Sequence, residues 1–256
     1  MRDLARVLAM ADTALRRGEY MECVKMCHEA LSQTQDARLH RRLGVAAREL
    51  GWLEQALAAF DQVCLDDPDD LDARHQRMCL NASLGKHMAV LVDSDLLNDY
   101  HDGVDFQSMR GRACLEQGRF EEAAQAFGRA GMAELQAEAL FRLACQQWEA
   151  GNYPQAWSNF DRAEPHVVDP KSLLTLYFQR QRIHARLGHL DSALADIGRA
   201  LAQPDVPHPL KVMLWCERAE LHSRLGQIEL ARADLEQARL LDPDSPVVRA
   251  YQKGLT

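Results

Sequence analysis

Around Gly226 the order of apolar and polar residues predicts two short amphipathic helices. Before the glycine, Val212-Met-Leu-Trp215-Cys-Glu-Arg218-Ala219-Glu-Leu-His222 carries apolar or small side chains at three- and four-residue intervals. After it, Ile228-Glu-Leu-Ala231-Arg-Ala-Asp-Leu235-Glu-Gln-Ala238 repeats the pattern. The glycine sits where the first helix must end, because it enters the left-handed capping conformation at little cost. Ala219, Ala231 and Ala238 are expected where the two helices approach most closely, since a larger side chain would push them apart. Asp242-Pro243 then ends the second helix.

This unit recurs along the chain. Seven glycines are each followed two residues later by a bulky apolar or ring residue: Gly18/Tyr20, Gly51/Leu53, Gly85/His87, Gly118/Phe120, Gly151/Tyr153, Gly188/Leu190 and Gly226/Ile228. A small residue, usually alanine, follows three positions further on. The glycines are 33, 34, 33, 33, 37 and 38 residues apart, a period that signals stacked supersecondary units. The small and aromatic positions are clearest as Ala123/Phe127/Ala130, Ala156/Phe160/Ala163 and Ala56/Phe60 followed by Pro68.

This pattern resembles the tetratricopeptide repeat, a helix-turn-helix unit, over nearly the whole chain. The resemblance implies an all-α fold: a right-handed α-solenoid of about seven hairpins, read as one domain over residues 1–256. The hairpins are placed near residues 4–36, 37–70, 71–103, 104–136, 137–170, 174–207 and 212–245, with a capping helix at 246–256. The copy around Gly85 departs most, with Val90, Ser94 and Leu97 at the small-aromatic-small positions and the polar run Asn98–Gly103 after them. A looser or longer hairpin, or a bend, is expected there. Two proline-rich connections, Glu164–Pro170 and Gln203–Pro209, carry extra residues and should be stiff loops.

Composition narrows the functional classes. A formal charge of -8 argues against nucleic acid as the main partner. Arginine outnumbers lysine 25 to 5, which suits ion pairing and carboxylate recognition or reflects a GC-rich genome. The seven cysteines are odd in number and fall inside helical patterns, so a reducing compartment fits better than a disulfide framework. The first residues are broken by charges and lack the apolar core of a signal peptide. No stretch approaches an uncharged membrane span, and the expected location is the cytoplasm without membrane insertion.

Eight residues before the glycine the first helix carries Arg77, Arg110, Arg180 or Arg218, and eight after it the second helix carries Asp93, Ala126, Asp196 or Asp234. Ion pairs Arg77–Asp93, Arg180–Asp196 and Arg218–Asp234 are therefore predicted inside three hairpins, because charges partly buried between helices need partners. Cys23 and Cys27, one turn apart beside His28, invite a metal reading. They also occupy the small and aromatic positions of the repeat, which favours core thiols, and no metal or cofactor is expected. No phosphate loop, GxSxG or HExxH motif occurs, and no set of histidines and carboxylates recurs in an arrangement for acid–base chemistry. The expectation is a protein that is not an enzyme.

The family resemblance implies that first helices line the concave side, with groove residues ten, six and three or two positions before each glycine. Those candidates are Arg41, Arg48, His75, Arg112, Phe141, Trp148, Phe178, Arg182, Arg186 and Arg224. Arginine and aromatic side chains anchor protein interfaces, so the leading expectation is an adaptor or scaffold that binds a partner's peptide or helix with acidic and apolar residues. The opposing reading has Phe141 and Phe178 packing between hairpins while the arginines cover a solvated face. The lysine and asparagine set with which chaperone-binding members clamp a C-terminal carboxylate is not matched at Leu8, Asp12, Arg41, Val45 and His75. Two other functions stand beside the adaptor: a self-assembling homo-oligomeric subunit, and a sensor of an anionic small ligand or peptide signal. An RNA-binding solenoid ranks last.

Overall fold

The computed structural model describes residues 2–254, with side chains from 4 to 252. Fifteen α-helices and one 3-10 turn make up the regular structure of the described residues, without a strand. The chain divides between Gly131 and Met132 into two compact units. The first unit holds four hairpins: α1 (Arg2–Arg17) with α2 (Tyr20–Leu31), α3 (Ala37–Glu49) with α4 (Leu53–Asp66), α5 (Leu71–Ser83) with α6 (His87–Leu97), and α7 (Val104–Glu116) with α8 (Phe120–Arg129). The second unit holds α9 (Ala133–Glu149) with α10 (Tyr153–Ala163), α11 (Pro170–Leu187) with α12 (Leu190–Leu201), α13 (His208–Arg224) with α14 (Ile228–Leu241), and α15 (Pro246–Gly254). The last two residues of the expected cap lie outside the described residues.

Each hairpin turn is built as the glycine spacing predicts. Gly226 has φ +73°, and the following Gln227 N–H donates to the His222 carbonyl at 2.8 Å, closing the end of α13. All seven repeat glycines take positive φ, as does Gly131 at the end of the first unit. Ala219, Ala231 and Ala238 are fully buried, as are Phe60, Phe127 and Phe160 on the second helices. Cys23 and Cys27 are fully buried in the first unit beside Leu39, Leu43 and Ala46, their sulfurs 4.0 Å apart. All seven cysteines are free thiols.

Close approach of two helices explains two further glycines. A Cβ at Gly44 would lie 2.8 Å from the Phe60 ring, and one at Gly111 would lie 2.8 Å from the Phe127 ring. In both hairpins the aromatic side chain fills the space that the glycine leaves.

The three predicted ion pairs are present. Arg77 binds both Asp93 oxygens at 2.9 and 2.5 Å, Arg180 both Asp196 oxygens at 2.7 Å, and Arg218 those of Asp234 at 2.9 and 2.6 Å. The structure adds a second set of partners from the preceding hairpin. Arg77 reaches Asp61 at 3.3 Å, Arg110 reaches Asp95 at 2.7 Å, and Arg180 reaches Glu164 at 2.6 Å. Arg110, which faces Ala126 in its own hairpin, pairs more closely with Asp95 behind it than with Glu122 of α8 at 3.6 Å. Arg77 and Arg180 thus tie their own hairpin internally and to the preceding one.

The departures sit where the motif weakens. The Gly85 hairpin closes normally, but Ser94 fills the aromatic position and turns its hydroxyl to the Leu91 carbonyl at 3.1 Å. Six residues then separate α6 from α7. The Glu164–Pro170 connection begins with the 3-10 turn Glu164–His166, and its Glu164 accepts from the Tyr177 hydroxyl at 2.9 Å as well as from Arg180. That connection is pinned to α11.

Candidate functional site

In the first unit most of the candidate groove residues are engaged within the chain. Arg41 forms ion pairs with Asp70 and Asp72 at the start of α5. Arg48 donates to Gln76 on α5 and pairs with the adjacent Glu49 at 2.8 Å. His75 stacks on His101 with ring centres 4.8 Å apart, and burial together with the His101 charge lowers its pKa. These residues do lie on first helices, but their polar groups already have partners. Arg112 on α7 is exposed, with no carboxylate within 4 Å among the described residues.

The second unit is different. Trp148 near the end of α9 packs against Tyr153 at the start of α10, with ring centres 4.9 Å apart. The Arg186 guanidinium lies 5.2 Å from the Trp148 ring centre and 5.1 Å from that of Tyr153, and it donates to the Tyr153 hydroxyl oxygen. Arg182 lies 5.6 Å from both the Trp148 and the Phe178 ring centres. A guanidinium held over an aromatic face is attracted by the ring quadrupole while its N–H edge stays open to other acceptors. The spacing explains the cluster: Phe178, Arg182 and Arg186 follow one another at four-residue steps on α11, so they form one stripe.

A recess of about 410 Å³ adjoins this stripe, lined by Gln181, Arg182, Ala185 and Arg186 from α11, Glu217, Glu220, Leu221 and Arg224 from α13, and Tyr251 from α15. Arg182, Arg186 and Arg224 have no carboxylate within 4 Å among the described residues, unlike Arg180 and Arg218 on the same helices. Arg224 instead donates to the Ala185 carbonyl at 3.2 Å, which fixes its direction. Glu217 is the acidic counterweight. Burial raises its pKa, Arg182 and a hydrogen bond from Gln181 at 2.6 Å oppose the rise, and Glu220 adds to it. Burial, with Glu220 and Glu217 adding, pushes the Tyr251 pKa up to about 12, so its hydroxyl stays protonated.

Phe141 does not join the arginines. Its ring meets Phe160 edge-on at 5.5 Å, and it lines a separate recess of about 440 Å³ with Glu138, Val167 and Val168. That aromatic contact lies within the α9/α10 hairpin, and not between neighbouring hairpins as the opposing reading has it. The structure therefore brings together Trp148, Phe178, Arg182, Arg186 and Arg224, and adds Tyr153, Gln181, Glu217 and Tyr251, which the groove positions do not include. Tyr153 was visible as the ring residue two places after Gly151; Glu217 and Tyr251 carried no sequence signal.

Among the described residues, no group of three or more histidines, cysteines or carboxylates is placed to hold a metal ion. No described helix is long and apolar enough to cross a membrane.

Comparison with known proteins agrees with this architecture. The sequence matches no curated protein. Among solved structures, one similar in fold is that of Naa15/Naa10 bound to HypK-THB, with a TM-score of 0.56 and 15% identity over all of this chain and 38% of that one. A tetratricopeptide repeat protein from Parabacteroides merdae aligns over 100% of this chain and 99% of its own, with 17% identity and a TM-score of 0.45. The P58(IPK) TPR domain aligns over 86% of this chain and 64% of that one, with 21% identity and a TM-score of 0.42. This chain spans less than two thirds of the P58(IPK) and Naa15/Naa10 chains. The family profile described as tetratricopeptide repeat matches residues 8–72, 95–139 and 182–246. With that profile covering more than half of the chain, and with seven glycine-closed hairpins behind it, the chain belongs to the tetratricopeptide repeat family.

Proposed function

We propose that this protein is a non-enzymatic adaptor that binds an acidic, partly apolar segment of a partner protein on the first-helix face of its second unit. Tetratricopeptide repeats serve protein–protein interaction and scaffolding, and stacked repeats offer extended surfaces for it. The observation that carries the finer reading is the convergence of Arg182, Arg186 and Arg224, without carboxylate partners of their own, on one recess beside Trp148, Tyr153 and Phe178. Arginine grips a carboxylate with two parallel hydrogen bonds, and the rings supply apolar area at small entropic cost. The contrast with Arg41 and Arg48, already engaged with Asp70, Asp72, Glu49 and Gln76, moves the weight of the site to the second unit. The seven free thiols support a reducing, cytoplasmic setting.

The test is a peptide-display selection with the wild type, followed by titration of the selected peptides into Arg182→Glu/Arg186→Glu. Both residues are exposed, so the variant should keep its fold. Selection of sequences with acidic residues, weakened about 30-fold or more by the variant, supports the proposal. Selected peptides that bind the variant equally well refute the site.

A further inference from the structure

The second helix of the Gly85 hairpin has apolar residues on two faces. Val90, Leu91 and Leu97 are buried against the hairpin core. Met88, Val92 and Leu96, at four-residue steps on another stripe of α6, are 61, 58 and 52% exposed. Tyr100, in the turn that continues the helix, and Val104, at the start of α7, are 67 and 55% exposed. The fold does not require this stripe, because the other hairpins do not have it. The positions three, seven and eleven after the glycine are Glu54, Ala58 and Gln62 in the second copy and Glu121, Gln125 and Arg129 in the fourth. They are Pro154, Ser158 and Arg162 in the fifth, Asp191, Ala195 and Arg199 in the sixth, and Glu229, Ala233 and Gln237 in the seventh. In the first copy they are Met21, Lys25 and Glu29. A run of exposed apolar residues on a single helix, absent at equivalent sites of the same chain, marks an interaction surface.

We infer that this stripe docks an amphipathic helix of another protein, one that carries apolar residues at three- and four-residue spacing and lysine or arginine beyond one end. The spacing matches helix-on-helix packing, in which a row of side chains four apart fits between those of the partner. Beside Val92 lies a recess of about 390 Å³ whose lining is mostly polar (Asp61, Arg77, Asn81, Lys86 and Asp93, with Leu57 and Ala89), so the apolar contact is left to the stripe itself. The charge preference comes from the C-terminal end of the stripe. Asp99, Asp102 and Asp105 are all exposed there, and none has a cationic side chain within 4 Å among the described residues. The partial negative charge of the α6 C-terminus adds to them.

A second copy of the chain is a poorer occupant. It would bring the same three aspartates, and its Lys86, at the opposite end of the stripe, is held by Glu54 at 3.1 Å. The stripe also amounts to a few hundred Å², short of the roughly 800 Å² per partner usual in stable complexes, which suits one docked helix. This surface is in the first unit and shares no residue with the arginine–aromatic site.

The test uses a fluorescein-labelled helical peptide of about 18 residues, with leucines at three- and four-residue spacing and a lysine-rich end. Its anisotropy is followed on titration with the full chain. A second peptide keeps the leucines and replaces the lysines with glutamates. Binding of the lysine peptide should weaken about tenfold or more in Val92→Glu/Leu96→Glu. In Asp99→Asn/Asp102→Asn/Asp105→Asn it should weaken severalfold and lose much of its salt dependence. Arg182→Glu/Arg186→Glu should bind it like wild type, which keeps this site separate from the one proposed above. Circular dichroism reports the fold of each variant, and Val92→Ser/Leu96→Ser replaces the glutamate pair if that pair unfolds. The inference is overturned if the lysine peptide fails to bind the wild type, if binding survives the Val92/Leu96 change, or if the glutamate peptide binds as tightly. A concentration-dependent dimer that disappears in Val92→Glu/Leu96→Glu would also overturn it, assigning the face to a second copy.

Discussion

Replacing Arg180 with alanine tests the claim that the repeated arginine holds the hairpins together and is not part of the binding surface. The Arg180 and Asp196 side chains are 3 and 2% exposed and joined by two hydrogen bonds of 2.7 Å. Removing one partner of a buried ion pair costs about 3–5 kcal/mol, because the remaining charge stays out of water without compensation. Here Arg199, 3.2 Å from Asp196, softens the loss. The expected cost is therefore near the lower end, about 3 kcal/mol. At about 2–4 °C per kcal/mol for a chain of this size, the unfolding midpoint should fall by roughly 6–12 °C. Urea and thermal unfolding of Arg180→Ala, Asp196→Leu and the double variant Arg180→Met/Asp196→Leu make a complete test. The double variant should recover most of the loss, since no charge is left stranded. Glu164, which also loses Arg180, is partly exposed and keeps the Tyr177 hydroxyl. Arg232→Ala serves as control: its pair with Glu229 is open to solvent, so the change should cost less than about 1 kcal/mol. A loss below about 1 kcal/mol in Arg180→Ala, or a double variant as unstable as the single one, would refute the reasoning.

Three glycine substitutions should differ in sign. Gly44→Ala and Gly111→Ala force a methyl against the buried Phe60 and Phe127 rings and should destabilise by about 1–3 kcal/mol, despite the better helix propensity of alanine. Gly198→Ala, with no atom within 4 Å of the new Cβ, should stabilise by about 0.5–1 kcal/mol in the same urea titration. Burial lowers the pKa of His184, His40 and His75 below the ordinary 6.5, so the unfolded chain binds more protons than the folded one just below that value. Stability should be complete above about pH 6.5 and decline as the pH falls towards the lowered folded values. His184→Gln should flatten that decline; an unchanged slope would remove His184 as its source. Glu217→Gln should tighten acidic peptides by severalfold, because it removes a carboxylate beside Arg182, and calorimetry would show an unchanged or weakened affinity if the recess does not hold them.

Much of the hairpin was legible because its determinants are local. The glycine caps depend on a single φ, and the alanines and phenylalanines follow helical spacing. The Arg–Asp pairs, 16 residues apart, are brought together by the length of one glycine-closed hairpin, so Arg77, Arg180 and Arg218 could be matched to their aspartates by counting. The binding-site residues were less legible. Arg41, Arg182 and Arg224 occupy comparable places on first helices, yet Arg41 lies in ion pairs and the other two face a recess.

The sequence by itself determined the repeat, the helix boundaries near each glycine, the buried small and aromatic positions and the charge pairs within hairpins. These rest on backbone preferences and on contacts between residues close in the chain. The tertiary structure decided which arginines are used up and which remain open, and that Asp61 and Asp95 serve the hairpin after their own. It also decided that Met88, Val92 and Leu96 face outward together. Those outcomes depend on how one hairpin settles on the next. That angle is set by the summed fit of many side chains, which no single spacing along the chain encodes.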